Sequence, residues 1–169
     1  MVDFAVKERS GLSGSTSKKI VAIRFDREPL RGFVNPVAYL QPGGIEVLTS
    51  SGSVVTLSYT EVKALCYVKD FESASAWKVN RAFASRPKVE GLWVKIRFRD
   101  GDTMEGLIGN NLLLMEELGF SVAPPDGGFQ NRIFVPRAAV THIQVLGVVG
   151  SPIHRARKAK PEAQLKIFE

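Results

Sequence analysis

Apolar and polar residues alternate along most of the chain in short runs, and the runs fall into two series. In the first, Val21, Ile23 and Phe25 alternate with Ala22 and Arg24, the period of a strand with one buried face. Asp26 to Pro29 reads as a turn and Leu30 to Val34 as a returning strand. Asn35-Pro36 and Pro42-Gly43-Gly44 interrupt the pattern, since proline and glycine punctuate regular structure. Ile45 to Thr49 and Val54 to Leu57 form a third and a fourth strand around the loop Ser50 to Ser53. Ser58 to Glu61 leaves room for a single tight turn. Val62 to Lys69 is the fifth strand, with Val62, Ala64, Cys66 and Val68 on one face and Leu65 and Tyr67 on the other. In the second series, Val94, Ile96 and Phe98 alternate with Lys95, Arg97 and Arg99. Asp100-Gly101 marks a hairpin, because glycine accepts the positive φ that such a turn needs. Asn110 to Leu118 reads as an edge strand or a short helical turn, and Pro124 to Gly128 as loop. Arg132 to Val135 and Val140 to Val149 are the last strands.

The two series echo each other. Val21-Ala22-Ile23-Arg24-Phe25 answers to Val94-Lys95-Ile96-Arg97-Phe98, and each is followed by a polar turn, an apolar residue, a charge and a glycine, Gly32 or Gly106. Val62 answers to Val140 and Ala64 to His142. The offset grows from 73 residues at Val21/Val94 to 78 at Val62/Val140, as small insertions would produce. Such self-similarity predicts one unit written twice, with Phe25 and Phe98 at equivalent core positions.

Five short strands with a single-turn break before the last is the order of a small barrel. Val94 to Gly101 followed by Glu105-Gly106-Leu107 resembles the Sm-like and Src-homology-3-like domains, where a strand, an acidic-glycine turn and a bent, glycine-containing second strand succeed one another. The resemblance implies an all-β fold of two tandem five-stranded small β-barrels. The glycine of the closing Sm motif is absent from Ile133-Phe134-Val135-Pro136-Arg137, so no Sm RNA-contact residue is carried over. The region 20–149 also resembles tandem domains of uncharacterised bacterial proteins in which a segment such as Val68-Lys69-Asp70-Phe71 closes the first copy; that likeness implies a fold and no activity.

The expected organisation is therefore a flexible leader at 1–19, a first barrel at 20–69, a linker at 70–88, a second barrel at 89–149 and a basic tail at 150–169. The leader is rich in Ser and Gly, which bury too little surface to offset their ordering entropy. The linker is Ala- and Ser-rich, with one or two helical turns expected, and Trp77 and Phe83 are expected to pack between the barrels. At 44% hydrophobic and 24% charged residues the composition is globular. No apolar run nears the roughly 18 residues of a membrane span, and no signal-peptide pattern opens the chain. Cys66 stands alone, which excludes an internal disulfide and fits a cytoplasmic protein with no membrane partner.

The residues offer no catalytic constellation, so the expectation is a non-enzyme without cofactor or metal. His142 falls in the last strand and has no histidine counterpart in the first copy, which argues against a repeated metal site. Asp100 and Asp102 flank Gly101, where aspartate is favoured for turn geometry. The glycine pairs lack the lysine and helix of a phosphate loop, and Cys66 falls on a core strand.

Charge redraws the picture only at the ends. Of the net +6, residues 1–19 carry +2, 151–169 carry +3 and 20–150 only +1. Lys95, Arg97 and Arg99 share one face of a strand, which could meet phosphates or simply keep the sheet solvated. Phe98 belongs to the opposite face, which makes it a poor platform for stacking bases. In the tail, Arg155, Arg157, Lys158 and Lys160 precede Gln164-Leu165-Lys166-Ile167-Phe168-Glu169. This ending resembles the clamp-binding peptide of bacterial replication and repair proteins, Gln-Leu-x-Leu-Phe: Gln164, Leu165 and Phe168 match and Ile167 stands for leucine. The resemblance implies an apolar anchor in a groove of the sliding clamp, with the basic tail following DNA or RNA electrostatically. The competing readings are a protein-interaction adaptor and an Sm-like RNA-binding protein with no clamp role. The sequence leaves the oligomeric state open.

Overall fold

The structure, a computed structural model, describes residues 17–72, 81–111, 113, 115–125 and 130–150. It is all-β and antiparallel. The strands are β1 (Lys18–Arg24), β2 (Leu30–Val34), β3 (Leu40–Gln41), β4 (Gly44–Thr49), β5 (Val54–Leu57), β6 (Val62–Val68), β7 (Gly91–Phe98), β8 (Thr103–Ile108), β9 (Gly119–Val122), β10 (Gln130–Pro136) and β11 (Val140–Val149). A single 3-10 turn, Arg137–Ala139, separates the last two.

Eight strands form one sheet in the order β3-β4-β2-β1-β6-β10-β9, with β5 paired to β4, and the other three form a sheet β11-β7-β8. Within each half the pairing follows one scheme. The last strand pairs with the first, β6 with β1 and β11 with β7, and the first with the second, β1 with β2 and β7 with β8. A bridge from Leu107 to Ala123 brings β8 beside the β9 segment.

The expected pair of separate barrels is not what the pairing gives. Neither sheet closes on itself, and the halves share the larger one through β6 and β10, with Cys66 opposite Ile133 and Leu65 opposite Phe134. The joining strands are consequently buried on both faces. One core takes Val21, Ile23, Ala64, Cys66 and Ile133 together with Val94, Ile96 and Phe98. The other takes Ile20, Ala22, Leu65 and Phe134 together with Val34, Ile45 and Val47. Strands covered on both sides read as continuous apolar runs rather than as alternation, and Val62 to Cys66 is indeed buried at every position.

The shared wall also overturns the expected equivalence of Phe25 and Phe98. Phe98 is buried among its own half's strands, but Val21 and Ile23 face that same core and Phe25 packs half-buried on its margin. The first half's own core is lined from β1 by the alternate residues, Ile20 and Ala22. A side-chain period of two means that a one-residue change of phase exchanges the faces, so the motif recurs in sequence while its apolar face serves one core twice. The glycines of the motif are equivalent in a different sense. A Cβ on Gly32 would lie 2.5 Å from Val47 Cγ1, and one on Gly106 2.1 Å from Val122 Cγ1. In both halves glycine lets the second strand pass against the next.

Candidate nucleic-acid interface

Strand β7 places the predicted basic row as alternation requires: Val94, Ile96 and Phe98 are buried, while Lys95 and Arg97 are exposed. Lys95 lies opposite Glu105 on β8 and Gln144 on β11, and Arg97 opposite Thr103 and His142. Glu105 is engaged, its Oε2 accepting from Trp93 Nε1 and from the Phe83 amide, both at 3.1 Å. Arg97, Arg99, Gly101, Thr141 and His142 line a shallow crevice beyond the end of the row. His142 is exposed on β11, a solvated strand histidine.

Arg99 departs from the expected free row. Its guanidinium stacks 3.9 Å above the Phe25 ring, and its Nη2 donates to the Thr60 carbonyl at 2.5 Å. It reaches across to the first half, which leaves Lys95 and Arg97 as the outward cations of the row.

Behind the row lies a charge cluster that the sequence pattern did not disclose. The pairing of β1 with β6 shifts between Ile23, opposite Ala64, and Arg24, opposite Val62. Lys63 is the extra residue of this bulge, and a bulge re-aims its side chain. Although Lys63 is only 5% exposed, its Nζ donates to Asp100 Oδ2 at 2.6 Å and to Asp102 Oδ2 at 2.8 Å. It also lies 5.1 Å from the Phe98 ring centroid and 5.8 Å from that of Phe25. Arg81 pairs with the other oxygen of Asp102. Partial burial pushes the Asp102 carboxyl up, but the hydrogen bond and charge of Lys63, with Arg81 and the Thr103 amide, outweigh it and hold it below the ordinary aspartate value. The turn Asp100–Asp102 is thus both a hairpin and a docking point for the first half. The bulge also explains why Val62 joins Leu65 in one core while Ala64 and Cys66 serve the other. No periodic signal in the sequence marks it; two aspartates flanking an exposed glycine were the visible half of the cluster.

The end of the expected linker is docked as well. Arg81 accepts at its carbonyl from the Glu105 amide at 2.6 Å, and Phe83 meets Trp93 edge to face at 6.2 Å. No helical turn occurs at 81–88. Trp77 lies outside the described residues. So do Arg155, Arg157, Lys158 and Lys160 of the tail, and the peptide residues Gln164, Leu165, Ile167 and Phe168.

Burial pushes the Cys66 thiol up to about 12, which removes the thiolate that reactivity needs. Among the described residues no three His, Cys, Asp or Glu side chains gather as metal ligands, and no helix is long and apolar enough to cross a membrane.

Open antiparallel sheets sharing one wall, with an outward basic strand, define an all-β protein. The chain belongs to DUF6982, a family of unknown function, whose model matches residues 16–147. No curated protein and no solved structure matches the chain.

Proposed function

We propose that the protein is a non-enzymatic binding module, a DNA-associated accessory factor tethered to a sliding clamp by its C-terminal peptide. In this reading each half is a small-barrel unit of the Sm-like or Src-homology-3-like kind, opened and fused to its neighbour. The recurrence of one pairing scheme and one close-approach glycine in both halves supports that descent. The observation that carries the functional reading is the tail sequence: Gln164-Leu165-Lys166-Ile167-Phe168 behind Arg155, Arg157, Lys158 and Lys160. Leu165, Ile167 and Phe168 are the apolar anchors for a groove, Gln164 bonds to its rim, and the four cations trail along nearby DNA. The exposed Lys95 and Arg97 add cations on the folded part.

Calorimetry with isolated clamp and the full chain tests it. Binding in the micromolar range, about −8 kcal/mol, is expected for a short peptide that must order on docking. Leu165→Ala with Phe168→Ala should abolish the heat signal without moving the melting temperature. Absence of clamp binding by the parent chain refutes the tether and favours the protein-interaction adaptor.

A further inference from the structure

The β1–β6–β10 junction gathers cations that the sequence keeps far apart. Lys18 and Lys19 from β1, Lys69 at the end of β6 and Arg132 from β10 line one groove of about 400 Å³, with Pro36, Tyr67 and Val68 as its remaining wall. Register brings them together: Ile20 and Arg132 both lie opposite Tyr67, from either side of β6. Arg132 reaches the groove only because the two halves share a sheet.

Its charge is poorly compensated. Lys19 pairs with Asp70 at 3.6 Å, an exposed contact. The Arg132 side chain donates through Nε and Nη2 to the neutral Ser121 hydroxyl at 2.9 and 2.7 Å, and its guanidinium lies 5.6 Å from the Tyr67 ring centroid. Lys18 and Lys69 have no acidic partner among the described residues, and no acid lines the groove. Like charges held on one concave wall repel each other and concentrate positive potential there, which favours an anionic occupant. By contrast, the β7 row has Glu105 opposite Lys95 and spends Arg99 on a contact between the halves.

We infer that this groove is the folded protein's site for the backbone phosphates of duplex DNA. The inference rests on the DNA-associated reading above and relocates its folded contact from the β7 face to the β1–β6–β10 junction. Phosphate contacts of this kind position a protein without reading sequence, and each releases counterions, steepening the salt dependence.

Fluorescence anisotropy of a labelled duplex with the full chain, titrated between about 50 and 200 mM salt, tests it. For Lys18→Ala with Lys69→Ala, both exposed, the slope of log K against log salt should become shallower by about 2, near 0.9 for each lost contact. Lys18→Arg with Lys69→Arg should keep the parent slope, and Lys95→Ala with Arg97→Ala should change it less than the first pair. If the parent binds and the Lys18/Lys69 pair keeps its slope, the groove assignment is overturned while the DNA reading stands on the tail. If the parent shows no salt-sensitive binding, both fall. If poly-glutamate binds the parent more tightly than the duplex does at equal charge, and the Lys18/Lys69 pair removes that preference, the groove belongs to an acidic protein partner instead.

Discussion

Replacing Lys63 by methionine should destabilise the protein by about 2–3 kcal/mol. Methionine keeps the length and most of the volume of the lysine stem, so little cavity is created. What is lost is the ammonium group that meets Asp100 and Asp102 at 2.6 and 2.8 Å. Removing one partner of a fully buried pair costs about 3–5 kcal/mol, because it strands the other charge. Here the stranded carboxylates are 39% and 26% exposed and water can reach them, and Asp102 keeps Arg81. Both facts bring the figure below that range, as screening does for exposed pairs. A urea titration followed by tryptophan fluorescence measures it, and the midpoint should fall at unchanged slope. Acid offers a second readout. Because the Asp102 carboxyl is held below its ordinary value in the folded chain, its contribution is fully present above the unfolded value of about 3.9. That contribution is lost as pH falls from there through the lowered folded value. Lys63→Met should flatten this part of the stability profile. A variant as stable as the parent, with an unchanged acid profile, would refute the claim that this cluster fastens the hairpin to the first half.

Two other outcomes follow from the packing. Gly106→Ala should cost about 1–3 kcal/mol, since its Cβ would sit 2.1 Å from Val122 Cγ1 and 3.2 Å from the Ala123 carbonyl oxygen; thermal melting checks it, and a neutral result would mean that β9 yields freely. Phe98→Ala should cost about 3–5 kcal/mol and Lys95→Ala less than about 0.5 kcal/mol, with Arg99→Ala between them at about 1 kcal/mol for its bond to Thr60; equal losses for Phe98 and Lys95 in a denaturant titration would show that the faces of β7 are misassigned.

The legible part of the fold is the part that alternation governs. β7, with one wet face and one dry, announces both, and the hairpin at Asp100-Gly101 follows from its turn residues. Where a strand is covered on both sides, alternation says nothing about which core receives which residue. That is why Val21 and Ile23 could be assigned to a buried face but not to the second half's core. The bulge at Lys63 is equally silent, since one added residue leaves no compositional trace. The candidate site divides along the same line. Lys95 and Arg97 are readable from a single strand, whereas Lys18 and Lys69 become neighbours through the pairing of β1 with β6, and Arg132 joins them only through the pairing between halves.

That pairing also has a cost in time. β6 leaves the ribosome with its partner β1 already made, but the strand that covers its other edge is centred on Ile133, 67 residues after Cys66. At roughly 5–20 residues per second the nascent chain waits about 3–13 s with the Cys66 edge of the sheet unpaired and the Val21, Ile23 and Ala64 side of its wall uncovered. An open edge backed by an apolar face is the surface on which chains join wrongly. Synthesis of the second half is therefore expected to be the vulnerable interval, and slowing translation between 70 and 130 should lower the soluble yield more than slowing it elsewhere.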